Sequence, residues 1–120
     1  MSTIKADTLV ASDGTSPTTL TKQHAAKHWV HFNGTGTIAV YTNGSFNTAS
    51  IADNGTGDYD VNLSSAMSGT DSCYYVAGGS ANQTKTFPVS ATRYSIDTQD
   101  SGGTQEDRAD VGGTAHGDLA

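Results

Sequence analysis

Turn-forming residue pairs divide this chain into short segments, and this division constrains the fold more than any other feature. The pairs that mark predicted turns are Asn-Gly at residues 33–34, 43–44 and 54–55 and Gly-Gly at residues 78–79 and 102–103. Asn and Gly readily adopt the left-handed backbone conformations that tight turns require. Segments of about 8–12 residues between such turns are typical of short antiparallel strands. The sequence therefore predicts an all-β fold with turns at these pairs.

Alternation of apolar and polar residues supports this interpretation. From Asp58 to Ser64, the apolar residues Tyr59, Val61 and Leu63 alternate with polar ones and are predicted to face inward. Further strands are predicted in HWVHF, TIAVYT, FNTASIA, SCYYVA, QTKTFPVSA and TRYSIDT, with a weak final strand from Glu106 to Val111. Short antiparallel strands of this kind form a sandwich or a meander.

Two strand segments carry more specific expectations. In HWVHF, Val30 and Phe32 are predicted to lie on one face, and Trp29 and His31 on the other. Pro88 predicts an edge strand or a bulge, because proline cannot donate a hydrogen bond within a sheet.

Large aliphatic residues and phenylalanine are few for a chain of this length. Leu, Ile, Val and Phe total 18 of 120 residues, and charged residues make up only 15%. Disordered chains combine low hydrophobicity with high net charge, so a β protein with a thin core fits this composition better. Because a thin core offsets little conformational entropy, we expect additional burial between subunits and hence a homo-oligomer.

The net charge of −6 restricts the classes of partner. Phosphate groups are bound by clustered Lys and Arg, so we expect no nucleic acid partner and no membrane partner. Half of the acidic residues lie from Asp97 onward, which predicts an acidic, hydrated C-terminal part. We expect no signal peptide, because residues 1–22 lack an apolar core segment, and we therefore expect synthesis in the cytoplasm.

These patterns divide the chain into three parts. Residues 27–112 are predicted to form the β-rich module, and residues 113–120 an acidic, glycine-rich C-terminal tail. Residues 1–26 are predicted to form an extended N-terminal arm that docks on a neighbouring molecule. The large apolar residues of the arm are Ile4, Leu9, Val10 and Leu20.

The stretch DNGTGDYDV, residues 53–61, combines two glycines with three aspartates and could indicate an ion-binding loop. Its spacing fails the EF-hand pattern, and a strand follows the glycines where a phosphate loop requires a helix. A calcium site built from Asp53, Asp58 and Asp60 stays open as an alternative. We favour a structural turn, with the aspartates facing water and the glycines supplying backbone angles that other residues avoid.

Histidine and cysteine residues give no clear metal-binding or catalytic pattern. His24 and His28 have a spacing that could hold zinc on a helix, with His31 nearby, but a strand places His28 and His31 on opposite faces. We therefore expect surface or interface histidines and no cofactor. Cys73 is the only cysteine, so we expect a small buried thiol, with an intermolecular bridge as the alternative. No serine or cysteine lies in a nucleophile motif, and no catalytic residue is predicted.

The stretch HWVHFNGTGTIAVYTNGSFNTASIADNGTGDYDVNLSSAM resembles a module of tail fibres and other virion proteins of tailed bacteriophages, especially marine phages. The resemblance covers Trp29 to Met67, with weaker similarity in CYYVAGGS, TRYSIDTQDSGGTQEDRADV and the N-terminal MSTIKADTL. This chain departs from the family at His31, where Asn is usual, and in its more acidic last strand. The resemblance implies a β-rich homotrimer in the virion that contacts the major capsid protein or a tail protein, and it brings no catalytic residues.

Three functions are compatible with these observations. A chain made of an arm and one module, without a shaft, favours a capsid decoration (cement) protein or a short appendage. A receptor-binding fibre tip that contacts a host surface glycan is the second. A carbohydrate-processing enzyme is the third, and the close spacing of Asp58 and Asp60 disfavours it. We expect attachment and trimer formation to use apolar residues of the arm and the strand faces, namely Ile4, Leu9, Val10, Leu20, Trp29, Phe32, Tyr41, Phe46 and Tyr59.

Overall fold

The computed structural model describes residues 12–14, 26–71 and 73–120, and all regular structure in these ranges is β-strand. The strands are β1 (Ala26–Asn33), β2 (Ala39–Phe46), β3 (Thr48–Gly55), β4 (Asp58–Leu63), β5 (Cys73–Gly79), β6 (Gln83–Ser90), β7 (Arg93–Gln99) and β8 (Val111–Gly117). They form two four-stranded antiparallel sheets, with the order β2-β1-β8-β5 in the first sheet and β3-β4-β7-β6 in the second. The predicted all-β fold is confirmed, and its form is a sandwich.

One face of each sheet contributes to a shared apolar core. In β4, Tyr59, Val61 and Leu63 are buried, as their alternation predicts. Tyr59 pairs with Ile96 of β7, and Val61 pairs with Tyr94. Cys73 packs partly buried against the core. The buried apolar residues of the described part are Val30, Phe32, Tyr59, Val61, Leu63, Met67, Tyr75, Tyr94, Ile96, Val111 and Ala115.

The turn predicted at residues 43–45 is wrong, because β2 continues through them. The pairing of β1 with β2 shifts register between Val30 and Phe32, and the extra residues of β2 bulge out at this point. Asn43 adopts a left-handed φ of 58° within the bulge. Gly44 is buried there, and the neighbouring backbone oxygens leave no room for a Cβ. The Asn-Gly pair therefore bends an edge strand instead of ending it.

A single residue, Asn47, carries the chain from the first sheet to the second. It lies between β2 and β3 and has a left-handed φ of 57°. Its side-chain amide donates to Lys27 O at 3.0 Å, and its side-chain oxygen accepts from the Ser65 backbone N–H at 2.7 Å. These bonds tie the corner to β1 and to the residues that follow β4.

The final strand predicted from Glu106 to Val111 is wrong in position, because the last strand is Val111–Gly117. This strand is also central, since it pairs with β1 on one side and with β5 on the other. The predicted tail at residues 113–120 thus contributes its first part to the middle of a sheet. The physical reason lies at Gly113, where a Cβ would collide with the Tyr94 hydroxyl. Glycine is needed here inside a strand and does not mark its end.

The strand β6 forms an edge of the second sheet, and Pro88 lies there beside a register shift. The prediction of an edge strand or a bulge at Pro88 is therefore confirmed. Two threonines of β6 face the edge of β5 in the other sheet. Thr84 Oγ1 donates to Ala77 O, and Thr86 Oγ1 donates to Tyr75 O, each at 3.0 Å. These hydroxyls satisfy acceptors on the edge of β5 and close this side of the sandwich.

Gly113→Ala is expected to destabilise the fold by about 1–3 kcal/mol, because the new methyl group overlaps the buried Tyr94 hydroxyl. Gly112→Ala is the matched control, since a Cβ at this position meets only the Val30 backbone oxygen at 3.4 Å. Urea unfolding of both variants and the unchanged chain measures the two effects. Equal midpoints for the two variants would contradict the packing described for Tyr94.

Candidate functional site

The two faces of β1 have different environments, as the sequence predicts. Val30 and Phe32 are buried in the core, whereas Trp29 and His31 are exposed on the outer face of the first sheet. This outer face carries the most prominent exposed aromatic side chains of the described residues, and it is therefore the candidate functional surface.

Cross-strand pairing aligns four side chains across the centre of this face. Trp29 pairs with Phe46 on one side and with Thr114 on the other, and Thr114 pairs with Val76. The exposed fractions are 54% for Phe46, 39% for Trp29 and 48% for Val76. We call Phe46, Trp29, Thr114 and Val76 the apolar row.

A shallow groove lies on one side of the apolar row. His31 pairs with Gly112, and Gly112 pairs with Gly78, so two of these three positions lack a side chain. The groove has a volume of about 410 Å³, and Trp29 and Val76 line it. Neither glycine has a left-handed backbone, and a Cβ at Gly78 would meet no atom within 4 Å. Packing within the chain does not require these glycines, and glycine inside a strand is typical of a site where another molecule approaches closely.

A protruding side chain lies on the other side of the apolar row. Tyr74 of β5 pairs with His116 of β8, and 73% of Tyr74 is exposed. Tyr74, Val76 and Gly78 follow one another at two-residue spacing on the outer face of β5. A projection and a gap therefore lie on the same strand, at equal distances from Val76.

A polar contact lies at the end of the groove. His31 Nε2 lies 2.5 Å from Asp110 Oδ1, and the ring centroids of His31 and Tyr41 are 4.5 Å apart. The Tyr41 hydroxyl donates to Ala109 O at 2.6 Å. The His31 and Asp110 side chains are 49% and 57% exposed, so their pairing contributes little stability. Together these contacts hold the segment before β8 against β1 and β2.

The outer face of the second sheet has the opposite character. Asp58 pairs with Asp97, and Asp97 pairs with Lys85. Asp60 forms a salt bridge with Arg93 at 3.2 Å. Burial, and then the negative charge of Asp58, raises the pKa of the Asp97 carboxyl above its ordinary value. The centre of this face is therefore mostly charged, and Phe87, opposite Ser95, is its exposed aromatic residue on the edge strand.

The DNGTGDYDV stretch forms the turn between β3 and β4. Gly55 and Gly57 have φ angles of 136° and 68°, which confirms the backbone role predicted for them. Asp53 Oδ1 accepts the Gly55 backbone N–H at 3.0 Å, a bond that stabilises the turn. The expectation that the aspartates face water is wrong for Asp60, whose side chain is only 13% exposed in its salt bridge. Within the described ranges, no three His, Cys, Asp or Glu side chains converge on a position that could hold a metal ion.

His28 is fully buried and connects the two sheets. The Phe46 carbonyl can only accept, so His28 Nδ1 carries the proton and donates to it at 3.0 Å. Nε2 accepts from the Tyr94 hydroxyl at 2.8 Å. Burial lowers the pKa of His28, although backbone hydrogen bonds oppose this shift. His28 is a neutral core residue on the face opposite His31, while His24 lies outside the described residues.

The predicted interface residues fall into three groups. Trp29, Tyr41 and Phe46 are exposed on the first sheet. The prediction is corrected for Phe32 and Tyr59, which are fully buried and pack edge to face with ring centroids 5.3 Å apart. Strand alternation turns both rings into the sandwich, where they fill the core. The arm candidates Ile4, Leu9, Val10 and Leu20 lie outside the described residues.

The sequence did not single out Tyr74 and Val76, the exposed residues of β5. The segment Tyr74–Val76 is apolar throughout, so its alternation does not reveal which face is buried. One signal was present in Gly78, which shares the outer face at two-residue spacing and is unusual inside a strand.

Comparisons with known proteins identify no relative of this chain. No protein-family model, no curated protein and no solved structure matches it. Among the residues that the structure describes, no helix has the length and hydropathy needed to cross a membrane. Function is therefore inferred from the two outer sheet faces and from the resemblance in residues 29–67.

Stability is expected to fall as the pH is lowered below about 6.5, because His28 takes up a proton on unfolding. Burial depresses the pKa of His28 in the folded chain, whereas the unfolded chain has an ordinary histidine. The stabilisation is therefore complete above the unfolded pKa and is lost progressively below it. Urea unfolding between about pH 7.5 and 5.0 measures the effect. His28→Gln lacks the titrating ring and should show a smaller loss over this range, while stability that rises towards pH 5.0 would contradict a neutral His28.

Asp58→Asn is expected to stabilise the fold by about 0.2–1 kcal/mol, because Asp58 and Asp97 place like charges directly opposite each other. Asp53→Asn is the control, since asparagine keeps the oxygen that accepts the Gly55 N–H. Thermal unfolding at low and high salt measures both, and the gain should shrink as salt screens the repulsion. A loss of stability in Asp58→Asn would contradict a net repulsion between Asp58 and Asp97.

Proposed function

We propose that this chain is a structural protein on the outer surface of a tailed-phage virion, in the form of a capsid decoration (cement) protein or a short appendage. It acts by association and catalyses no reaction. The observation that carries this proposal is the contrast between the apolar outer face of the first sheet and the charged outer face of the second. The resemblance of residues 29–67 to phage virion modules supplies the biological setting.

The exposed side chains of the first sheet are contiguous, which distinguishes them from scattered surface apolar residues. Phe46, Trp29 and Val76 lie in one row across neighbouring strands, and Tyr74 lies in the adjacent row. Contiguous exposed apolar surface is typical of protein interaction sites. Aromatic residues of this kind carry much of the binding energy in interfaces. The first sheet therefore provides the attachment surface, while the second sheet faces solvent.

Self-association and attachment to another virion protein both belong to this proposal. The resemblance implies a homotrimer, and the partner it implies is the major capsid protein or a tail protein. The segment before β1, predicted to be an N-terminal arm, is the second attachment element of this proposal and docks on a neighbouring molecule. The net charge of −6 keeps the exposed part of such a particle coat soluble.

A second candidate is a receptor-binding fibre tip, and the groove beside Trp29 favours it. The exposed indole ring of Trp29 offers a flat apolar surface on which a sugar ring can stack, and the Asp110 carboxylate offers hydrogen-bond acceptors to hydroxyl groups. In this case, the partner is a glycan on the host surface. The number of copies per virion separates the two candidates, because decoration proteins are present in hundreds of copies and fibre tips in a few.

Trp29→Ser is expected to reduce incorporation of the chain into phage particles by about tenfold, because it removes the centre of the apolar row. Phe87→Ser is the matched control, since Phe87 is an exposed aromatic residue on the edge strand of the second sheet, 47% exposed. Quantitative mass spectrometry of purified particles, with the genome carrying each variant, gives the copy number. Equal incorporation of both variants would count against attachment through the first sheet, and absence of the unchanged chain from particles would refute the proposed function.

A further inference from the structure

The outer face of the first sheet is complementary to itself. On β5, Tyr74 projects from the surface, Val76 lies at the centre and Gly78 forms the floor of the groove. Tyr74 and Gly78 each lie two residues from Val76, which is about 7 Å along a strand. A twofold axis that runs across the strands at the level of Val76 exchanges these two positions between facing sheets. The tyrosine of one copy then lies over the groove of the other, and the reverse holds as well.

We propose that this face binds the same face of a second copy across a twofold axis, with Tyr74 of each copy entering the groove formed by Gly78 and Gly112 of the other. The same operation places the apolar row of one copy over the apolar row of its partner. Facing sheets in β-sandwiches pack about 10 Å apart through interdigitating side chains, which is the geometry this contact needs. Isologous contacts of this kind close on themselves and produce a defined assembly.

The distribution of charge favours a second copy as the occupant. Each copy carries a net charge of −6, so two copies repel unless they meet through a neutral face. The outer face of the second sheet presents Asp58, Asp60 and Asp97, and Lys85 and Arg93 balance their negative charge only in part. Asp110, which lines the groove from the segment before β8, contacts His31. The residues that strand pairing places on the outer face of the first sheet include no Asp, Glu, Lys or Arg: Trp29, His31, Phe46, Tyr74, Val76, Gly78, Gly112, Thr114 and His116.

The size of the face predicts a modest affinity. Four strands spaced by about 4.8 Å, with 7–8 residues each, present a flat area of roughly 450 Å² per copy. The combined area of two copies lies at the lower end of the range for specific interfaces, so we expect a Kd in the micromolar range. This inference rests on the proposed use of the first sheet for attachment and names the occupant of that surface. A trimer formed through other surfaces would be joined by this contact into a hexamer.

Two substitutions test the projection and the groove separately. Tyr74→Ser removes the projection, and Gly78→Val fills the groove at a position where a Cβ meets no atom of its own chain. Analytical ultracentrifugation of the full chain is expected to show an at least tenfold higher Kd of self-association for each variant. Phe87→Ser, which removes a 47% exposed aromatic ring from the second sheet, is expected to leave the Kd within about twofold. Circular dichroism confirms that each variant keeps its β structure.

Mixing the two variants provides the decisive measurement. Tyr74→Ser keeps an open groove, and Gly78→Val keeps the tyrosine, so a mixed pair contains one tyrosine in one open groove and no overlap at the other. The mixed pair is therefore expected to bind at least threefold more tightly than either variant binds itself, as measured with one variant carrying a fluorescent label. This recovery is specific to a contact between Tyr74 and Gly78 of different copies.

The outcomes separate this inference from the proposed function. A dimer, or a hexamer that the variants dissociate into trimers, supports the twofold contact together with recovery in the mixed pair. A monomer at all concentrations, a trimer unaffected by the variants, or a mixed pair no tighter than the single variants would overturn it. If the chain is monomeric yet Trp29→Ser still prevents incorporation into particles, the proposed function stands and the occupant of the face is another virion protein. If particles never contain the chain, the proposed function fails whatever its oligomeric state.

Discussion

The sandwich depends on how it accommodates the Tyr94 hydroxyl between its two sheets. The ring of Tyr94 reaches from β7 in the second sheet to the first, where its hydroxyl donates to His28 Nε2 at 2.8 Å. The ring stacks on Tyr75 of β5 with centroids 4.3 Å apart, and the hydroxyl occupies the space that Gly113 leaves in β8. Because a buried hydroxyl without a partner is costly, this one site fixes the residues allowed on three strands of the opposite sheet. Burial also raises the pKa of Tyr94, which therefore remains a donor.

Tyr59 follows the same principle at the other end of the core. Its hydroxyl donates to Gly34 O at 2.9 Å, and a Cβ on Gly34 would overlap its ring. The Gly34 N–H in turn donates to Arg108 O at 2.9 Å, so the first turn is bound to the segment before β8. With so few aliphatic residues, the core uses tyrosines to fill its volume, and Tyr94 and Tyr59 each require a glycine and a polar partner nearby. Gly34, Gly113 and the tyrosines that fill the thin core are therefore parts of one packing solution.

Sequence patterns predicted the parts of the fold that local alternation determines. Tyr59, Val61 and Leu63 were assigned to the inner face because polar residues separate them, and the two faces of β1 were assigned correctly for the same reason. The patterns failed where a contact with a distant part of the chain determines the role of a glycine or asparagine. Residues 43–45 form a bulge, and residues 112–113 lie inside β8. An Asn-Gly or Gly-Gly pair shows that the backbone is permissive, but it does not show which long-range contact uses that freedom.

The candidate surface was predictable only in part, for a related reason. Trp29, Tyr41 and Phe46 were expected at an interface because they are large and apolar, and they are exposed. Phe32 and Tyr59 met the same criterion and are core residues, since side-chain type alone does not distinguish a core from an interface. Only the pairing of distant strands brings Val76 and Gly78 of β5 next to β8, and through β8 onto the same face as β1.

The glycines of the groove indicate that this surface serves association and does not serve the stability of the isolated chain. Gly113 and Gly34 make room for tyrosine side chains, so core packing offsets what these glycines cost in strand and turn formation. Gly78 has no such packing role, because its φ is not left-handed and a Cβ there would meet no atom within 4 Å. A glycine inside a strand costs about 0.5–1 kcal/mol relative to alanine, and a β-branched residue would suit the position better. The contiguous apolar row beside Gly78 supports the same conclusion, because polar side chains at these exposed positions would leave the core unchanged. Both features are unfavourable while the face is exposed to water, and both become favourable when a partner covers the face.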